Sequence, residues 1–114
     1  MTLSINSNIS ALNALGKRQA TSANNIANSD SEGFKKSRMV LEEGEKGMVT
    51  AKSQAVNTPG TMINQPNGSM TETSNVDLAT EVTDMIPTKH AYQANLKALQ
   101  TTAEMEKATL DLIG

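Results

Sequence analysis

The chain has 114 residues, a formal net charge of −2 at pH 7, no cysteine and a single histidine, His90. This composition provides neither a thiolate zinc cluster nor a multi-histidine metal site, and it provides no disulfides. Phe34 and Tyr92 are the only aromatic residues, and the basic residues are scattered, so neither single-stranded nucleic acid nor duplex DNA is an expected partner. We therefore expect one domain that uses no cofactor and no metal.

Residues 1–28 contain no proline, one glycine and two charged residues, and their apolar residues have helical spacing. They predict an amphipathic helix whose apolar seam contains Ile5, Ile9, Leu12 and Ile26. The middle of this seam lacks large apolar residues, and Leu15 partly covers the gap. Asn and Ser crowd the first half of this helix and compete for its backbone hydrogen bonds. Alone in water the helix should be marginal.

Residues 29–74 hold five of the seven glycines and two of the three prolines, and they predict a loop or a small β region. Residues 35–41 and 48–56 can pair as a hairpin around the Glu/Gly-rich turn, although their alternation of apolar and polar residues is poor. Such a hairpin would need a helix or a partner subunit to lie on, because two isolated strands are marginally stable at best.

Residues 75–114 predict a second helix, with Ser74 or Asn75 as its N-cap and Asp77 in its first turn. Pro87 lies inside this helix, so we expect it to be kinked or broken there. The apolar repeat keeps its phase across Pro87, which favours one kinked helix over two. The seam, nine of whose eleven positions are apolar or aromatic, reads Leu78, Val82, Met85, Lys89, Tyr92, Leu96, Leu99, Ala103, Glu106, Leu110 and Ile113.

The chain shows no pattern typical of a catalytic site. Its carboxylate clusters have no predicted cleft around them, and one histidine is a poor basis for an activated nucleophile. The glycines form no phosphate-binding run. No apolar stretch is long enough to span a bilayer, and no signal-peptide pattern opens the chain. We expect a protein that is not an enzyme, does not insert into membranes and has no cleaved signal peptide.

These elements predict a mainly α protein of one domain. Its long N- and C-terminal amphipathic helices would pack as an antiparallel, coiled-coil pair, with a short loop or small β-hairpin between them. The two seams are long and contain too few apolar residues to form a sufficient core against each other in a monomer. This favours assembly with other chains. The alternative is a self-contained helical hairpin whose Met and Leu stripe is its own core.

Two blocks of sequence resemble the terminal motifs of the bacterial flagellar rod and hook proteins. The first is residues 23–36, where Ala-Asn-Asn-Ile-Ala-Asn leads through a turn into Gly33-Phe34-Lys35-Lys36. The second runs from Ser74-Asn75-Val76-Asp77 through Met85-Ile86 to Ala91-Tyr92-Gln93-Ala94-Asn95. The chain departs from the family pattern at Ser31-Glu32, where Thr-Pro is common. Its ending and short middle are most similar to the proximal rod proteins.

The resemblance implies a structural subunit of the flagellar basal-body rod that assembles through its terminal helices. Its partners would be copies of itself, other rod and hook proteins, and the flagellar type III export apparatus. It would reach the periplasmic rod without a cleaved signal peptide. The alternative is a small non-polymerising paralogue that acts as an adaptor or binding module.

The resemblance also implies structural roles for individual residues. Asn24, Asn25 and Asn28 would cap or tie the end of the first helix, Gly33 would allow the turn, and Phe34 would anchor the following segment on the helix pair. Tyr92, Gln93 and Asn95 would supply polar contacts between helices. The family-motif residues are Asn24, Asn25, Ile26, Ala27, Asn28, Gly33, Phe34, Asn75, Val76, Asp77, Ala91, Tyr92, Gln93 and Asn95. The assembly seam consists of Ile5, Ile9, Leu12, Leu15, Ile26, Leu78, Val82, Met85, Tyr92, Leu96, Leu99, Leu110 and Ile113.

Overall fold

The computed structural model describes residues 2–114 as an elongated molecule of 79 × 23 × 14 Å. Two long helices enclose a β region in sequence, which agrees with the predicted mainly α architecture. In chain order the elements are α1 (Thr2–Ala27), β1 (Ser37–Glu43), a 3-10 turn (Glu45–Gly47), β2 (Val49–Ala55), β3 (Met62–Asn64), β4 (Met70–Glu72) and α2 (Leu78–Ile113).

The two helices pack against each other in antiparallel orientation. Asn25, near the end of α1, is hydrogen-bonded to Glu81, near the start of α2. Further along the pair, Leu15 of α1 lines the same groove as Tyr92 and Leu96 of α2. Residue numbers therefore fall along α1 as they rise along α2.

Helix α2 begins three residues later than the sequence indicated, with Asp77 as its N-cap. The Asp77 carboxylate accepts from the Ala79 backbone N–H at 3.1 Å and from the Thr80 hydroxyl at 2.9 Å. The predicted caps Ser74 and Asn75 are wrong, because the Asn75 side chain is hydrogen-bonded to the β region. The Thr80 hydroxyl bond and further bonds from the backbone lower the pKa of Asp77 from its ordinary value.

Helix α2 continues through Pro87 as one element of 36 residues, so the alternative of a break at this position is wrong. Proline removes one backbone donor, which leaves a single carbonyl one turn earlier without its helical partner. Hydroxyl groups on either side bond back to the helix, since Thr83 donates to the Ala79 carbonyl and Thr88 donates to the Asp84 carbonyl. The apolar repeat that keeps its phase across Pro87 is the sequence feature that correctly favoured a single helix.

Strands β1 and β2 form the expected hairpin, in which Ser37 pairs with Ala55 and Glu43 pairs with Val49. The tip reverses through left-handed backbone at Lys46 and Gly47. The hairpin lies along α1, as its marginal stability requires. On its outer face Lys52 forms an ion pair with Glu42 at 2.6 Å, and Arg38 donates to Gln54 at 2.9 Å.

A second, three-residue hairpin of β3 and β4 was not predicted from the sequence. Its turn contains Gly68 with a φ of 85°. Three-residue strands are too short to show a period of two, so the pattern carried no strand signal. Its apolar side chains Met62, Ile63 and Met70 are 49–60% exposed.

The molecule has a thin core. Among residues 4–114, whose side chains are described, Ala14 and Leu15 are the buried hydrophobic residues. The other buried side chains are polar, namely Asn25, Ser74, Glu81 and Thr88. No helix in the described part of the chain is long and apolar enough to cross a membrane, and residues 2–114 contain no cluster of side chains that could hold a metal ion.

Candidate assembly surface

Asn25 joins three elements of the fold through one carboxamide. Its side-chain N–H group donates to the Ser37 carbonyl at 2.7 Å and to a carboxyl oxygen of Glu81 at 3.1 Å. Its oxygen accepts from the Ser37 backbone N–H at 3.1 Å. Asn25 is 2% exposed, so these bonds form away from water. The resemblance implied that this residue caps or ties the end of the first helix, whereas in the structure its side chain is bonded to β1 and α2.

Asn75 has the corresponding role at the other end of the β region. Its oxygen accepts from the Lys36 backbone N–H at 2.7 Å, and its amide donates to the carbonyls of Val56 and Thr58 at 2.7 and 2.9 Å. Its backbone N–H donates to the Phe34 carbonyl at 3.2 Å. The start of β1, the end of β2 and the approach to α2 are thus held at one point.

The remaining residues of the first motif form the end of α1 and its turn. The Asn28 side chain donates to the Asn24 carbonyl at 2.9 Å, and Asn28 accepts from the Ser31 hydroxyl at 3.1 Å. Gly33 has a φ of 68°, a left-handed conformation that favours glycine. Phe34 is half-buried. Ile26 and Ala27 are the last two residues of α1, with Ile26 half-buried and Ala27 exposed.

In the second motif, Val76 donates its backbone N–H to the Ser74 hydroxyl at 3.2 Å in the approach to α2. Asn95 donates to the Ala91 carbonyl of its own helix at 2.8 Å, so this bond is not a contact between helices. Tyr92 and Gln93 line a groove between α1 and α2.

Helix α2 faces α1 with a stripe that is largely polar. Its buried or half-buried members, which we call the α1-facing stripe, are Glu81, Met85, Thr88, Ala91, Asn95, Leu99, Thr102 and Glu106. The predicted seam shares Met85, Leu99 and Glu106 with this stripe. Most of the apolar seam therefore lies beside the helix contact and not inside it.

The seam residues outside the contact are exposed to between 40% and 79%; they are Leu78, Val82, Tyr92, Leu96, Leu110 and Ile113. The seam and the α1-facing stripe have the same 3.5-residue spacing and share one row of positions. The other row of the seam is exposed beside the contact and consists of Val82, Lys89, Leu96, Ala103 and Leu110. On α1, Ile9 is exposed, Ile5, Leu12 and Ile26 are half-buried, and Leu15 is buried.

A groove of about 620 Å³ runs between the helices beside the α1-facing stripe. We call it the α1–α2 groove; no residue of the β region lines it. Its walls are mostly apolar and are formed by Leu15, Gly16, Gln19, Ala20, Ala23, Thr88, Lys89, Tyr92, Gln93 and Leu96. The Oε1 atom of Gln19 is buried and has no hydrogen-bond partner.

Helix α2 is ten residues longer than α1, and its last part extends past the start of α1. Every residue from Lys107 to Gly114 is exposed, including Leu110 and Leu112. We call residues 107–113 the C-terminal overhang. This segment is apolar on more than one side, which is unusual for a helix in contact with water.

Both terminal segments match protein-family profiles. Residues 5–35 match the family described as "Flagella basal body rod protein". Residues 67–112 match the family described as "Flagellar basal body rod FlgEFG protein C-terminal". A search of curated proteins found no match to the chain.

These two matches cover almost all of both helices and support a structural component of the rod as the class of protein. The chain belongs to the flagellar basal-body rod protein family. The resemblance of its terminal motifs is thereby confirmed, and membership connects the protein with the flagellar basal body and with motility.

Proposed function

We propose that the protein is a structural subunit of the flagellar rod that assembles through its two helices with copies of itself and with other rod and hook proteins. The observation that carries this proposal is the exposure of most of the apolar seam of α2. Apolar side chains in a regular row on a helix are stabilised when another helix covers them. Within one chain, α1 covers mainly the polar stripe beside them.

The thin core supports the same proposal. Only Ala14 and Leu15 are buried hydrophobic residues among residues 4–114, so a single chain gains little from burying apolar surface. A neighbour that covers the exposed seam would add the missing burial. Folding and assembly would then reinforce each other, because a partner that binds only the folded chain stabilises it.

The proposal includes the route and the location. The subunit would leave the cytoplasm through the flagellar type III export apparatus and would take its place in the periplasmic part of the rod. It would act without a cofactor, since its role is to form contacts between subunits.

The test is mass spectrometry of hook–basal bodies purified from the source organism. We expect the chain at a level stoichiometric with other rod components, and a cytoplasmic protein of similar size should be removed by the same purification. Absence of the chain from intact basal bodies would contradict the proposal. Absence combined with a stable one-to-one complex with another protein would support a non-polymerising adaptor instead.

A further inference from the structure

Asn67 precedes Gly68 in the exposed turn of the second hairpin, and no other asparagine of the chain precedes a glycine. The main-chain nitrogen that follows an asparagine can attack the side-chain carbonyl carbon of that asparagine and close a five-membered ring. A Cβ atom on the following residue hinders this approach, and glycine has none. The space around Gly68 is also open, since an added Cβ atom would meet nothing within 4 Å. The turn therefore presents the two groups that this ring closure requires.

The side-chain carbonyl of Asn67 accepts two hydrogen bonds from Ser69. The backbone N–H of Ser69 donates to Oδ1 of Asn67 at 3.0 Å, and the Ser69 hydroxyl donates to the same atom at 2.6 Å. When a nucleophile adds to the carbonyl carbon, this oxygen becomes an oxyanion. Donors that are already in place bind an oxyanion more strongly than a neutral carbonyl oxygen. The arrangement thus favours addition at the side chain of Asn67.

The attacking nitrogen is held by one hydrogen bond in a weakly supported part of the fold. The Gly68 N–H donates to the Gln65 carbonyl at 2.9 Å, and the Gln65 N–H donates to the Ser69 carbonyl at 2.7 Å. Beyond these two bonds the turn depends on two strands of three residues each. An exposed hairpin of this length opens locally at a low cost in free energy, while the helices stay folded. Local opening frees the Gly68 nitrogen for the reaction.

We propose that Asn67 is a site of spontaneous deamidation, in which the Gly68 nitrogen is the nucleophile, Ser69 stabilises the oxyanion and water is the second reactant. The Gly68 nitrogen forms a bond with Cγ of Asn67, the Cγ–Nδ2 bond breaks, and ammonia leaves with the proton that the Gly68 nitrogen gives up. The product is a cyclic imide. Water then opens the imide at either carbonyl carbon and gives aspartate or isoaspartate at position 67, with no oxidation or reduction.

The modified turn differs from the original turn in charge and in backbone. Either product adds one carboxylate to a chain whose formal net charge is −2. In isoaspartate the main chain runs through the former side chain, so the backbone gains one methylene group before Gly68. The hydrogen bond from Gly68 to Gln65 then loses its geometry, because a turn fixes the number of backbone atoms between its ends. The deamidated chain is thus a second form of the protein, changed at the tip of the second hairpin.

Peptide mapping of the full-length chain tests the site. The protein is incubated at neutral and at mildly alkaline pH and digested with trypsin at successive times, and an unincubated sample corrects for deamidation during digestion. No lysine or arginine lies between residues 52 and 89, so fragmentation of a single tryptic peptide compares Asn57, Asn64, Asn67 and Asn75 directly. Asn57 is the matched control, since it is exposed on an irregular segment and precedes a threonine.

We expect Asn67 to lose its amide at least about tenfold faster than Asn57, because glycine leaves the attacking nitrogen unhindered. The rate should rise with pH, since this nitrogen must give up its proton. Two products of equal mass should separate by chromatography, because the imide opens in two ways. A rate at Asn67 equal to or below that at Asn57 would overturn the proposal, and aspartate as the sole product would overturn the imide route.

Ser69→Ala and Ser69→Thr test the contact with the oxyanion. Ser69→Ala keeps the backbone N–H and removes the hydroxyl bond to Asn67, so deamidation should slow several-fold. Ser69→Thr retains a hydroxyl group and should restore the rate. Asn57 serves as the internal reference in each variant, and circular dichroism checks that the helices are intact. An unchanged or higher rate in Ser69→Ala would contradict the role assigned to the hydroxyl.

Discussion

Asn25 donates a hydrogen bond to Glu81 across 3.1 Å, although the two residues are 56 positions apart in the sequence. The same carboxamide forms two hydrogen bonds with the backbone of Ser37. Both Asn25 and Glu81 are buried in a molecule whose buried residues are mostly polar. Polar groups that are satisfied inside a protein restrict the number of ways in which it can pack. This contact thus aligns α1, β1 and α2 more specifically than apolar packing alone would do.

Asn25→Ala should lower the free energy of unfolding by about 2–3 kcal/mol, because it removes three hydrogen bonds and leaves buried groups of Ser37 and Glu81 unpaired. Urea denaturation followed by circular dichroism at low protein concentration measures the change. The control is Asn24→Ala, one position earlier on the exposed side of α1, which should cost less than about 0.5 kcal/mol. Equal losses for the two variants would show that Asn25 does not hold the elements together.

Gly60→Ala should destabilise the protein, because a Cβ atom at this position would lie 1.9 Å from the Thr73 carbonyl oxygen. Backbone would have to move, at a cost of about 1–3 kcal/mol. Gly16→Ala is the opposite case, since Gly16 is inside α1 with nothing within 4 Å of the added atom. Alanine there should stabilise the helix by about 0.5–1 kcal/mol. Thermal unfolding should show a lower melting temperature for Gly60→Ala and a higher one for Gly16→Ala. An unchanged melting temperature for Gly60→Ala would contradict the close approach of residue 60 to the Thr73 carbonyl.

Stability should fall in acid partly through Glu72. The ammonium group of Lys35 and the backbone N–H of Gly60 donate to this carboxylate and hold its pKa below the ordinary value of 4.5. A carboxyl whose pKa is lower in the folded state stabilises the fold above the unfolded pKa, and this contribution is lost as pH falls through the folded pKa. The melting temperature should therefore drop as pH falls below 4.5.

Glu72→Gln is the matched variant, because it keeps the size of the side chain and cannot lose a proton. Its melting temperature should be lower than that of the unmodified chain at neutral pH, and it should depend less on pH below 4.5. Parallel curves for the two proteins would indicate that the Lys35–Glu72 contact does not contribute to acid sensitivity.

Leu96→Asp should prevent incorporation into the basal body, because it introduces a charge into the α1–α2 groove and into the predicted seam. Incorporation, measured by mass spectrometry of purified basal bodies, should fall by at least tenfold. Ala94→Asp is the control on the same helix, since Ala94 is exposed and does not line the groove. Circular dichroism should show that both variants remain helical. Equal incorporation would argue against this face as an assembly surface.

Local sequence pattern was sufficient for the larger elements. Helical spacing of apolar residues located α1 and α2, and the Glu/Gly-rich turn located the first hairpin to within a few residues. The unbroken phase of the seam favoured a single α2 through Pro87. Each of these patterns lies within a short stretch of chain, so the elements can be predicted without knowing the tertiary structure.

The packing of the helices was beyond the reach of local pattern. The seam of α2 is its most regular apolar feature, yet a polar stripe that includes Glu81 and Thr88 faces α1. What makes Glu81 suitable for burial is the carboxamide of Asn25, a partner far away in sequence. The N-cap at Asp77 follows from another distant contact, because Asn75 is already engaged with Lys36 and Val56. Such contacts are only visible once the fold is known.

The antiparallel helix pair leaves the size of the middle segment unconstrained. Asn25 and Asn75 hold the β region where it enters and leaves the helices, and the second hairpin stands clear with an exposed turn at residues 66–69. Chain inserted at an exposed turn disturbs neither the backbone hydrogen bonds of the helices nor their packing. A relative could therefore carry an inserted domain of any length at this turn and keep the same pair of helices. Subunits with very different outer surfaces would then share the same helix pair.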